Sequence, residues 1–101
     1  MTSIRSIPDY IAYTRPQLHE VLVVVVQELC ENIDQLGFLR TQELEAKREV
    51  WTADPTASIQ TRDRTATYAA SHITTQILTT EATIDRLRQE RMLVERLIDG
   101  A

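Results

Sequence analysis

Glycine occurs twice in the 101 residues and proline three times. A many-stranded sandwich needs turn residues at intervals of about ten positions, so this scarcity excludes one and favours long helices. A glycine-rich phosphate loop cannot be built from Gly37 and Gly100. The one cysteine, Cys30, has no partner for an intrachain disulfide. Its place in an apolar helical stretch predicts a buried, unreactive thiol. One cysteine and two histidines, His19 and His72, cannot complete a usual zinc site within the chain. Neither metal nor cofactor is expected.

Positive charge is also short. The net charge is −4 and the pI about 5.1, which argues against a sequence-independent grip on nucleic acid. The longest apolar run, Val21 to Val26, is far below the roughly 20 residues that span a bilayer. The N-terminus lacks a basic start followed by an apolar stretch, so no signal peptide is read. A soluble, cytoplasmic protein without membrane contact is expected.

Helical spacing, by contrast, is abundant. Residues 1–15 form a lead segment, in which Ser6-Ile-Pro8-Asp9 can open a short helical turn. Thr14-Arg15-Pro16-Gln17 then reads as a helix start: Thr14 is the N-cap and Gln17 completes a capping box. Helix one is expected over 16–51, with Leu18, Leu22, Val25, Leu29, Leu36, Leu39, Ala46 and Val50 spaced by threes and fours. Val21 to Val26 also has strand propensity, but no turn signal comes after it before Gly37, so helix is chosen. Gly37 weakens that helix by about 1 kcal/mol relative to Ala and is its expected kink. Asp54-Pro55 breaks the pattern within a loop over 52–57, and Asp54 or Ser58 can cap the next helix.

Helix two is expected over 58–99, with Gly100 in the C′ position. Ala70, Ile73, Ile77, Thr80, Ile84, Leu87, Arg91, Val94 and Ile98 alternate steps of three and four, which is a heptad. Thr80 and Arg91 interrupt its seam. Eight threonines between Thr61 and Thr83 oppose a helix on propensity. The unbroken heptad outweighs them, and some hydroxyls are expected to bond back to carbonyls one turn earlier. The expectation is an all-α single domain: an antiparallel hairpin of two long helices with a short N-terminal segment.

At about 1.5 Å per residue these helices would span roughly 50 and 60 Å. A lone hairpin of that length has one contact line. Six successive apolar residues, Val21 to Val26, surround the helix, and a helix apolar on every side is normally buried on every side. Two hairpins forming a four-helix bundle dimer satisfy this. The expected oligomer interface is Val21, Leu22, Val23, Val24, Val25, Val26 and Leu29 on helix one, with Ile73, Ile77, Ile84, Leu87, Val94 and Ile98 on helix two. Arg86–Glu90 and Arg91–Glu95 are spaced to pair along the surface.

Chemistry is thinly represented. Three residues before His19 stands Pro16, and three before His72 stands Ala69, so the Glu-x-x-His pair of di-metal bundles is absent. No nucleophile elbow or activated cysteine context occurs. Glu28-x-x-Glu31-x-x-Asp34 places carboxylates close enough to share a divalent ion. It faintly resembles the all-α nucleotide pyrophosphohydrolases of the MazG kind, whose second motif is not matched, since Glu81-Ala-Thr-Ile-Asp85 has the wrong spacing. On a wheel, Glu31 and Asp34 lie with Glu20 and Gln27, as on a solvated face. Arg62 and Arg64 are the best nucleic-acid candidates, but Asp63 divides them and no aromatic row accompanies them. Trp51 is placed to cap the hairpin core, with a binding hot spot as the alternative.

The layout, with its entry Arg62-Asp63-Arg64-Thr65-Ala66 and its terminal helix Leu87-Arg88-Gln89-Glu90-Arg91, resembles small helical proteins of actinobacterial phages. That resemblance implies an origin and carries over no functional residue. The expected function is non-catalytic: an oligomeric helical protein acting through protein–protein contacts, with itself and another protein as partners. A phage-encoded modulator is one form of this reading; the alternatives are a structural or assembly component, a nucleic-acid accessory factor and an all-α nucleotide pyrophosphohydrolase.

Overall fold

The computed structural model describes residues 10–100, all of it helix, turn or coil. Three helices occur in order: α1 over Arg15–Ala53, α2 over Ile59–Ala69 and α3 over Ser71–Gly100. The two long helices, α1 and α3, pack antiparallel. Tyr10 and Ile11 are helical before α1 begins; the rest of the expected N-terminal turn lies outside the described residues.

The start of α1 matches its sequence signal. Thr14 N donates to Gln17 Oε1 at 2.8 Å, and Gln17 N donates back to Thr14 Oγ1 at 3.4 Å, a reciprocal capping box. The valine run is helical throughout. α1 passes through Gly37 without a break, and Thr41 Oγ1 donates to the Gly37 carbonyl at 3.1 Å.

The loop after α1 is closed by side chains. Asp54 accepts from Thr56 Oγ1 at 2.6 Å and from Thr56 N at 3.2 Å, an Asx turn. Those hydrogen bonds, the hydroxyl first, hold the exposed Asp54 carboxyl below its ordinary range. Ser58, in extended conformation, caps α2 by accepting from Thr61 N at 3.1 Å. Arg62 donates to the carbonyls of Ala57 and Pro55 at 3.0 and 3.1 Å, and its guanidinium lies 5.1 Å from the Trp51 ring centre. The half-buried Trp51 thus packs on the loop at the end of its own helix.

Three expectations about the second half are corrected. The helix expected over 58–99 is two helices, parted at Ala70, whose φ of −92° and ψ of 0° lie at the edge of the right-handed α region. The break is slight, because Ala70 N still donates to Ala66 O and Thr74 N to Ala70 O. Threonine- and serine-rich turns on both sides hold helix weakly, so opening one residue there costs little. Gly100 ends α3 as a helical residue without a positive φ, not as a left-handed C′ cap. Arg91 does not occupy the seam: it is exposed, and Glu90 is buried in its place. Tyr10 causes this, packing against Val94 beside α3 and donating its hydroxyl to Glu90 Oε1.

The back-bonding expected of the threonines is present. Thr75, Thr79 and Thr80 donate to the carbonyls of Ser71, Thr75 and Gln76 at 3.0, 3.1 and 2.8 Å. Of the expected surface pairs, Arg91 Nε meets Glu95 Oε1 at 2.9 Å. Arg86 does not pair with Glu90; its Nε is buried without a hydrogen-bond partner.

Contacts divide the chain into two compact units, residues 1–33 with 82–101 and residues 34–81. In the first, Tyr10, Leu18 and Val94 form a cluster edged by Val21, Leu22, Leu93, Leu97 and Ile98. Val25, Leu29, Ile84 and Leu87 are also buried there, and Arg15 caps the end of α3 by donating to Ile98 O at 3.0 Å. In the second, Leu39, Ala66, Ala70 and Ile77 are buried, and Thr74 Oγ1 donates to Glu43 Oε2 at 2.7 Å.

Candidate interaction surface

The residues expected at an oligomer interface fall into three groups. Val25, Leu29, Ile77, Ile84, Leu87 and Val94 are buried within the chain, and Val21, Leu22, Val26, Ile73 and Ile98 are half-buried. Intrachain packing therefore uses most of both seams. Val23 and Val24 remain 66% and 43% exposed. The apolar run is thus covered on one side only.

Uncovered apolar side chains are the main unexplained feature of the surface. Burying each would release apolar area at about 25 cal/mol per Å², so leaving them in water forgoes stabilisation. In the first unit they include Val23, Val24 and Ile33 on α1 and Met92 on α3; in the second they include Phe38, Leu44 and Leu78. Scattered single cases are ordinary, but contiguous ones mark contact surfaces.

One contiguous set stands out. Val23, Val26, Cys30 and Ile33 are spaced three, four and three, so they share a stripe of α1. At about 100° per residue, that stripe lies about 90° from the core stripe Leu18–Leu22–Val25–Leu29. Val23, Cys30 and Ile33 are exposed and Val26 is half-buried. The exposed thiol corrects the expectation of a buried Cys30. Cys30 lies one step of the helix beyond the buried Leu29, which turns it off the core face. The signal for this stripe was present in the spacing. The core stripe gives its direction, but six successive apolar residues, Val21 to Val26, blur the boundary between the two stripes.

The catalytic alternatives gain little from the arrangement. Glu31 and Asp34 are exposed, and Glu31 accepts from Gln27 Nε2 at 3.4 Å, while Glu28 is half-buried. Among the described residues, no group of three or more His, Cys, Asp or Glu could hold a metal ion. His19 and His72 are both exposed. An open groove of about 310 Å³ in the second unit is lined by Gln35, Leu39, His72, Thr75, Gln76 and Thr79 among others. Thr75 and Thr79 spend their protons on backbone carbonyls, so neither is poised as a nucleophile. Arg62 is half-buried and engaged by the Ala57 and Pro55 carbonyls and the Trp51 ring. No described helix is long and apolar enough to cross a membrane.

Compared with protein-family models, curated proteins and solved structures, the chain matches none.

Proposed function

We propose that this chain is a non-catalytic helical protein that self-associates and works by binding another protein. The observation that carries the reading is the exposed apolar surface left after intrachain packing, with Val23 and Ile33 on α1 at its centre. A hairpin whose seams are already filled has no internal use for these side chains. A second hairpin covering them makes a four-helix bundle dimer, the smallest closed solution.

The test compares affinity capture from the source cells with the wild-type chain and with Val23→Asp, which alters an exposed position and spares the core. Capture of a defined protein by the wild type alone supports the reading. Equal capture by both, or by neither, contradicts it.

A further inference from the structure

We propose that residues 1–9 lie along α1, with Ile7 and Ile4 seated in the groove of Tyr13, Gln17, Glu20, Val21 and Val24. The occupant of this groove is then the chain's own N-terminal segment, and the stripe with Val23 and Ile33 is left for other molecules.

The groove is open and about 410 Å³ in volume. Its α1 residues, Gln17, Glu20, Val21 and Val24, are spaced three, one and three, so they share one face. At about 100° per residue, that face lies about 120° from the core stripe, on the side away from Val23, Cys30 and Ile33. Val21 is half-buried and Val24 exposed. All these residues belong to the first compact unit.

Residues 10–13 give the segment its direction. Tyr13 borders this groove and also a second one, with Leu97 and Gly100 at the end of α3. Tyr10 packs with Leu18 and Val94, and its hydroxyl reaches Glu90, further back along α3. Arg15 at the start of α1 meets Ile98 at the end of α3, so a step back along α3 is a step forward along α1. The chain traced from Tyr13 to Tyr10 therefore runs toward Val21 and Val24, and residues 9 to 1 continue from there.

The segment has the pattern that such a groove needs. Met1, Ile4, Ile7 and Tyr10 are apolar and recur at every third position. Between them stand Thr2, Ser3, Arg5, Ser6, Pro8 and Asp9. With about three residues per turn the four apolar side chains fall on one side, the side that Tyr10 buries. At about 2 Å per residue, Ile7 and Ile4 stand roughly 6 and 12 Å beyond Tyr10. Val21 and Val24 stand about 4.5 and 9 Å beyond Leu18, the partner of Tyr10.

Charge agrees with this placement. From Pro16 to Leu39, α1 contains no Lys or Arg, and Glu20, Glu28 and Glu31 share the face of the groove. Arg5, the one cation of the segment, falls between Glu20 and Glu28. Asp9 falls beside Arg96, which lines the second groove with Tyr10 and Ile11. The tether then decides between occupants. A segment joined at Tyr10 meets the groove at an effective concentration of roughly millimolar order, which a separate molecule at micromolar concentration does not match.

Disulfide trapping tests the placement. In a Cys30→Ser chain, Ile4→Cys/Val24→Cys should form an intrachain disulfide in glutathione buffer at least about tenfold faster than Ile4→Cys/Val23→Cys. Val23 is 66% exposed and Val24 43%, so unguided collision would favour the Val23 pair. A measurement without engineered cysteines stands beside it. Trypsin should cut after Arg5 at least about fivefold faster in Val24→Asp than in wild type, with helical circular dichroism unchanged. Equal disulfide rates, a bond between positions 4 and 24 that forms only between chains, or equal cutting after Arg5 would overturn the placement.

Discussion

The Tyr10 hydroxyl donates to Glu90 Oε1 across 2.7 Å, joining residues eighty positions apart at a buried site. Tyr10 is 1% exposed and Glu90 9%. Removing the donor from a buried acceptor costs about 1 to 3 kcal/mol. Tyr10→Phe keeps the ring against Leu18 and Val94 and removes only the donor. Urea unfolding should show a loss of that size. A change below about 0.5 kcal/mol would mean the bond is not formed in solution.

Gly37→Ala should stabilise the chain. Gly37 lies inside α1 with a helical backbone, and a methyl group there would meet nothing within 4 Å. The gain should be about 0.5 to 1 kcal/mol, read as a raised melting temperature. A lowered melting temperature would show that the position is not open helix surface.

Arg62 locks the loop between α1 and α2. Arg62→Ala removes two hydrogen bonds to carbonyls and the stacking on Trp51, and should cost about 1 to 2 kcal/mol. Arg62→Lys should not restore it, because an ammonium lacks the planar fork. Trp51 is the one tryptophan, so its fluorescence reports the change directly. Identical emission spectra for wild type and Arg62→Ala would contradict the stacking.

Asp54 gives the same loop a pH dependence. Hydrogen bonds from the Thr56 hydroxyl and amide favour its charged form, so its folded value lies below the unfolded one. The contribution is present above the unfolded carboxylate value, about 3.9, and is lost as pH falls through the lower folded value. Asp54→Ala should therefore be less stable than wild type at pH 7, with the difference shrinking below about pH 4. A difference that grows on acidification would reverse the assigned direction.

The parts of this fold that local chemistry dictates were legible in the sequence. The Thr14–Gln17 box, the Ser58 cap, the Asp54-Pro55 break and the back-bonding threonines all depend on residues within one turn. The core stripe of α1 was legible because its spacing is helical and its members are apolar. Three features were not legible, each for a physical reason. Glu90 replaces Arg91 in the interior because Tyr10 packs beside it, and no local pattern announces a contact between residues so far apart in the chain. The break at Ala70 keeps the hydrogen bonds on both sides, so it leaves no mark such as Gly or Pro. The exposure of Cys30 follows from its place one step beyond Leu29 of the core stripe, a direction that its apolar neighbours Val26 and Leu29 disguise. The candidate surface was half visible: Val23 was expected at an interface, but the apolar run on both sides of it masked its alignment with Cys30 and Ile33.

The central claim, that exposed apolar side chains on α1 are covered by a second copy, is tested most directly by the molar mass in solution. Light scattering of the purified chain at micromolar concentration should give twice the 11.6 kDa of one chain, falling towards 11.6 kDa on dilution or in Ile33→Glu. A mass of 11.6 kDa at every concentration, with the helices intact, would contradict it.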